Sequence, residues 1–181
     1  MLYLLIVIVI GIAVGYIRGG SISNLSNANL NFGWLLYLGI ALIVAAQFIP
    51  ASASFWAFVL VVASFGLVFG VSALNYRVPG MVGVGIGALC NFVVIVANRG
   101  MPVSKAAAIA AGKLTPQAQE GLLLRGKHFL DTGEARLRFL GDNYAIFGRQ
   151  PILSIGDFII WAGIIVILQH LMQPKPESGH A

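Results

Sequence analysis

Charge is what this sequence lacks most. Only 9% of its 181 residues are Asp, Glu, Lys or Arg, and 59% are hydrophobic, whereas a soluble domain carries about 25% charged residues because its surface faces water. The shortage is concentrated: no charged residue stands between Arg18 and Arg77, and none between Arg77 and Arg99. A water-soluble globular fold is therefore excluded, since so little polar surface cannot cover so much apolar bulk. Cysteine is almost missing as well. Cys90 stands alone, which excludes a disulfide framework and a thiolate cluster. His128, His170 and His180 are scattered without paired ligand spacing, and no glycine loop for phosphate follows a strand, so zinc and nucleotide chemistry are not expected. No nucleic-acid partner is expected either. Ion-coupled transport needs ionisable groups at mid-span and interrupted helices at matching places in two repeats, and the chain has neither.

What is present is a set of five apolar runs. They cover about 2–17, 32–49, 55–74, 81–97 and 155–172, each near the length of a membrane-spanning helix. The first lacks the charged start of a signal peptide and is expected to be an uncleaved anchor, completed by Arg18 reaching toward the headgroups. Pro50 ends the second run, a short link leads to the third, and Pro174 and Pro176 follow the fifth, as proline does where a helix stops. The expected fold is all-α: a single membrane domain over residues 1–181, a polytopic bundle of about five transmembrane helices in the cell membrane. No cofactor is assigned. His170, near the end of the last run, stands where a haem or pigment ligand would sit, but an interfacial histidine favoured by the helix dipole is the plainer expectation.

Between the fourth and fifth runs lies a polar segment, 98–150, with eight of the eleven basic residues. Ser104 is placed to cap a short helix through Ala111 that Gly112 closes, and Thr115-Pro116 to open another through about Leu124. Arg136-Leu137-Arg138-Phe139 alternates polar and apolar, which suits an extended piece. The segment is expected to fold as a cap on one membrane face, its Arg and Lys meeting lipid phosphates, or to remain a solvated basic loop. Five spans put the termini on opposite sides. Arg99, Lys105, Lys113, Arg136, Arg138 and Arg149 against Arg18 and Arg77 then favour a cytoplasmic cap.

Glycine spacing marks helix-packing faces. Gly11 and Gly15, Gly66 and Gly70, and Gly83, Gly87 and Asn91 recur every fourth residue, which lines small residues along one face where backbones approach closely. Contacts within the chain are the expected use, and a groove for a partner helix is the functional alternative.

Two patterns flank the polar segment: Asn98-Arg99-Gly100 running to Ser104, and Leu140-Gly141-Asp142 leading to Ser154-Ile155-Gly156-Asp157. With Arg18-Gly19-Gly20 they resemble an uncharacterised family of small bacterial polytopic membrane proteins, which supports an architecture but no activity. More distantly, Asn98 with Gly100 and Gly156 with Asp157 resemble motifs of lipoprotein signal peptidase. That likeness implies an aspartyl hydrolase in which Asp142 and Asp157 share a proton and activate one water. The peptidase has four spans, has Asn where Ser154 stands, and carries an Asp-Arg with no clear counterpart here. Ser154-x-x-Asp157 before an apolar run is also the pattern of a capping box at a helix start. The expectation is a non-enzymatic accessory subunit or assembly factor, whose partners are membrane lipids and other membrane-protein subunits, with the hydrolase as the alternative.

Overall fold

The computed structural model describes residues 2–27, 30–50, 54–114, 123–125, 128–146 and 152–174. It is mostly helical. Helices α1 (Leu2–Ile17), α3 (Ser54–Leu74), α4 (Met81–Asn98) and α6 (Ile155–Met172) follow the apolar runs closely. Helix α2 is shorter than its run, Trp34–Ala46 in place of 32–49. Its start is fixed by Asn75, whose side chain accepts the Asn31 N–H at 2.8 Å and donates to the Asn31 carbonyl at 2.9 Å. Phe32 then turns with φ 54°, and at the other end the last turn tightens as Gln47 N–H bonds Val44 O. Three helices, α3, α4 and α6, are long and apolar enough to cross a membrane; α1 and α2 are apolar but shorter.

The helices pack in the order α2, α3, α4, α6, α1. Small residues set the closest approaches. A β-carbon on Gly87 would lie 2.5 Å from Gly156 O and 2.7 Å from Ile160 Cγ1, and one on Gly83 3.5 Å from Gly163 Cα, so α4 and α6 run antiparallel nearly backbone to backbone. On the other side of α6, Gly11 faces Leu168 and Gly15 faces Met172, while Tyr3 stacks on Trp161 at 6.3 Å. These contacts advance together along both helices, so α1 and α6 are parallel. Gly66 and Gly70 are different. A β-carbon at either meets nothing within 4 Å among the described residues, so within them the expected packing face on α3 has no neighbour. The side of α3 that faces α2 and α4 is formed instead by Ala57, Val61, Ser64, Phe65, Val71 and Ser72.

An all-α fold misses one part. The polar segment contains a three-stranded sheet in the order β1 (Met101–Ser104), β3 (His128–Asp131), β2 (Leu123–Arg125), with β1 and β3 parallel and β2 and β3 antiparallel. A second pair, β4 (Tyr144–Ala145) and β5 (Ile152–Leu153), leads directly into α6. These strands are two to four residues long, too short to show a period of two, and the parallel pair joins distant residues. Ser104 caps α5 (Lys105–Ala110) by accepting the Ala107 N–H at 3.1 Å, and Gly112 follows with φ 69°. The helix expected from Thr115 lies outside the described residues except at its end, where Leu123 and Leu124 belong to β2. Nor is Arg136-Leu137-Arg138-Phe139 extended: Leu137 turns at φ 54° into a 3-10 turn over Arg138–Leu140.

The cap has a small core of its own, Val103, Ala107, Ala108, Ala111, Leu130 and Ile152. Met101 and Leu140 join it to the core of the helices beside Val94 and Ile95. Helix α6 begins level with Asn91, seven residues before α4 ends at Asn98, or about 10 Å along that helix. The cap fills the step.

Candidate functional site

Because α6 starts below the end of α4, the side of its first turn that faces α4 is covered. Ser154 and Asn91 are both 0% exposed. The N–H groups of a first helical turn have no partner within the helix, and on this buried side they need one from the protein. The sequence solves this locally. Ser154 Oγ accepts the Asp157 N–H at 3.1 Å, and Asp157 Oδ2 accepts the Ser154 N–H at 2.9 Å, which closes the capping box. Asn91 then ties the box to α4: its Nδ2 donates to Asp157 Oδ1 at 2.9 Å and its Oδ1 lies 2.8 Å from the Ser154 hydroxyl. Gly156 leaves the room for this, since a β-carbon there would collide with the Asn91 amide.

Asp142 lies in a second place. It bridges β1 from the side opposite β3, its N–H bonding Pro102 O at 2.9 Å and its carbonyl accepting the Ser104 N–H at 3.1 Å. Pro102 has no N–H to give and takes part through its carbonyl alone. The Asp142 carboxylate is 6% exposed and meets His128 Nε2 at 3.3 Å. His128 stands on β3, so the pair crosses one face of β1. Asn143 N–H bonds Leu153 O at 3.0 Å and brings this strand to the entrance of α6. The two carboxylates of the supposed dyad are nevertheless committed separately, Asp142 to His128 and Asp157 to Ser154 and Asn91. Among the described residues no hydrogen bond joins them.

The remaining motif residues serve the backbone. Asn98 Nδ2 donates to Val94 O and to Arg136 O, each at 2.8 Å, and its Oδ1 accepts the Arg136 N–H at 2.8 Å. Gly100 is buried and its N–H closes the end of α4 on Ile95 O at 3.0 Å. Asp131 accepts the Gly133 N–H at 2.9 Å and pairs with Arg138 at 2.5 Å. Burial alone would raise its pKa. The Gly133 N–H, the Arg138 guanidinium and the Ala135 N–H outweigh that and hold the carboxyl below its ordinary value.

His170 is exposed on the last turn of α6 and Cys90 is half-buried. Among the described residues no three His, Cys, Asp or Glu side chains gather to hold a metal. Sequence reasoning missed the His128–Asp142 pair, because thirteen intervening residues and a sheet crossing leave no local signal. For Asn91 the Gly83, Gly87, Asn91 stripe marked the right face, and a mid-span amide is expected to be satisfied by a neighbouring helix or its own backbone; the structure gives it the start of α6.

No curated protein and no solved structure matches this chain. One family does, described as a family of unknown function (DUF5317), and the match covers residues 27–169. That span takes in α2 through nearly all of α6 and every residue of both polar clusters, so the chain belongs to the family of unknown function DUF5317.

Proposed function

We propose that the chain is a multi-pass integral membrane protein of five spans that works without catalysis, as an accessory subunit or assembly factor of a larger membrane complex. One observation carries this reading. The side chains that form the supposed catalytic motif are spent on holding the chain together: Asp157, Ser154 and Asn91 on each other, Asn98 on main-chain groups, Asp142 on His128.

The distribution of apolar side chains supports placement in a bilayer. Val9, Ile10, Ile40, Ile86, Val93 and Val166 are all more than a third exposed along the helices, where water would penalise them and lipid does not. Aromatic residues gather toward the two ends. Trp34, Tyr37 and Tyr76 are exposed at one end of α2 and α3, and Phe55 and Trp56 at the other end of α3. Indole and phenol rings concentrate at both membrane surfaces in this way. The parallel course of α1 and α6 is what five alternating spans require. Helix α2 by itself is about 20 Å long, shorter than the hydrocarbon layer of about 30 Å, and its flanking turns and local thinning of the bilayer must make up the rest.

The test is affinity purification from native membranes in mild detergent. An accessory subunit brings a defined membrane partner in fixed ratio. The competing hydrolase reading requires Asp142 and Asp157 to leave their present partners and meet. A chain that purifies alone, and whose Asp142→Asn and Asp157→Asn variants fold normally yet fail to complement a deletion strain, supports the hydrolase instead.

A further inference from the structure

At the end of α4 the fold brings together the main chains of two arginines and leaves their guanidinium groups open. Asn98 holds the main chain of Arg136 by a reciprocal pair of hydrogen bonds, each 2.8 Å. Arg99 is the next residue, at the left-handed C-cap of α4 with φ 55°. Immediately after Arg136, Leu137 is again left-handed with φ 54°. Among the described residues only three non-glycine side chains take positive φ, and two of them flank this clamp. Side chains with a β-carbon resist that conformation, and it persists where the surroundings enforce it, often around bound ligands.

Both arginines are exposed, and among the described residues neither guanidinium has an ion pair or hydrogen bond. The nearby carboxylates are taken: Asp131 by Arg138, Asp142 by His128 and Asp157 by its capping box. Glu134, exposed and two residues before Arg136, is the one remaining acid in this stretch. The helix dipole explains a cation at position 99. It does not explain a second, brought in from the cap by a dedicated asparagine. Phe139 is 62% exposed and Leu137 38%, so apolar side chains alternate with arginines along the same turn. Such a segment sits with its rings and methyls among acyl chains and its cations at the phosphate level.

We infer that this clamp forms a seat for a lipid phosphate: Arg99 and Arg136 grip the headgroup of an anionic phospholipid while Leu137 and Phe139 enter the acyl layer beneath it. Guanidinium matches phosphate through paired N–H donors in a way ammonium does not. The inference rests on the membrane reading proposed above. Inorganic phosphate offers the same anion chemistry but has nothing for Leu137 and Phe139, which separates the two sources.

The experiment uses the full chain in neutral detergent, with binding of phosphatidylglycerol, phosphatidylcholine and inorganic phosphate followed by native mass spectrometry and by the shift in melting temperature. Wild type should retain phosphatidylglycerol over phosphatidylcholine. Arg99→Gln with Arg136→Gln should weaken phosphatidylglycerol at least tenfold with the lipid-free melting temperature unchanged. Phe139→Ser should weaken the lipid as well, and Arg138→Gln, which alters an arginine already held by Asp131, should leave it intact. Undiminished phosphatidylglycerol binding in the double variant overturns the inference. So does an equal loss in Arg138→Gln, which would mean net charge without a seat, or equal protection by inorganic phosphate, which would mean a soluble anion. An alkaline wash of native membranes tests the underlying reading by itself: if the chain is released, the membrane placement fails, whereas a retained chain with an indifferent double variant sinks only the lipid seat.

Discussion

At the scale of single residues, the polar groups of this chain are placed where the backbone needs them. Asn91 shows the logic: an amide in the middle of an apolar helix is costly unless its donors and acceptors are met, and here it meets the first turn of α6. Asn91→Leu should cost roughly 2–3 kcal/mol in thermal or denaturant unfolding in detergent, because it removes the amide donor to Asp157 Oδ1 and the link between the Ser154 hydroxyl and α4. Asp157→Asn keeps an acceptor at the helix start and should cost only about 1 kcal/mol. A larger loss for Asp157→Asn than for Asn91→Leu would contradict this account. Asp131 gives a pH signature. Its carboxyl is held below the ordinary value of 3.8 in the folded chain, so its stabilisation is complete above that value and is lost as the pH falls through the lower folded one. Asp131→Asn should therefore be less stable than wild type at pH 6, with the gap closing below about pH 4. A gap that stays constant to pH 3 would mean the charge is irrelevant.

At the scale of elements, the glycine stripes divide into two kinds. Gly87 lies against the α6 backbone, and Gly87→Leu should break the α4/α6 contact and destabilise the isolated chain by more than about 3 kcal/mol, as severe overpacking does. Gly66→Leu and Gly70→Leu face open space on α3 and should change stability in detergent by less than about 0.5 kcal/mol. If the Gly66 and Gly70 variants unfold the isolated chain, the placement of α3 is wrong. The spacing of the three stripes is the same in the sequence. What differs is whether a neighbour is present, and that follows from the order in which the helices pack.

At the scale of the whole molecule, the five-span arrangement proposed above predicts which loops share a side. Reporter fusions at Ser23, Tyr76 and the C-terminal tail should report one side and a fusion at Lys113 the other. By the positive-inside rule, the basic residues of the cap predict that the Lys113 fusion reports the cytoplasmic side. Lys113 and Tyr76 on the same side would remove one span and with it the proposed topology. The stepped ends of α4 and α6 also bear on this scale. A cap that fills the step beside Asn98 lies close to the helices on one side and meets the surroundings with its arginines on the other.

The helices were legible from the sequence because each is a long run of apolar residues bounded by charge, proline or glycine, and such runs act through composition alone: α1 and α6 begin and end where the hydropathy does. Caps were legible too, since Ser104 and Ser154 act on residues three positions away. The strands of the cap, the His128–Asp142 pair and the clamp of Asn98 on Arg136 were not. Each joins residues far apart in the chain, and a contact of that kind depends on where several elements are held at once, which no local pattern records. The same reason governs the carboxylates: spacing and resemblance suggested that Asp142 and Asp157 work together, and only the packing of α6 against Asn91 and of β3 beside β1 gave each a different partner.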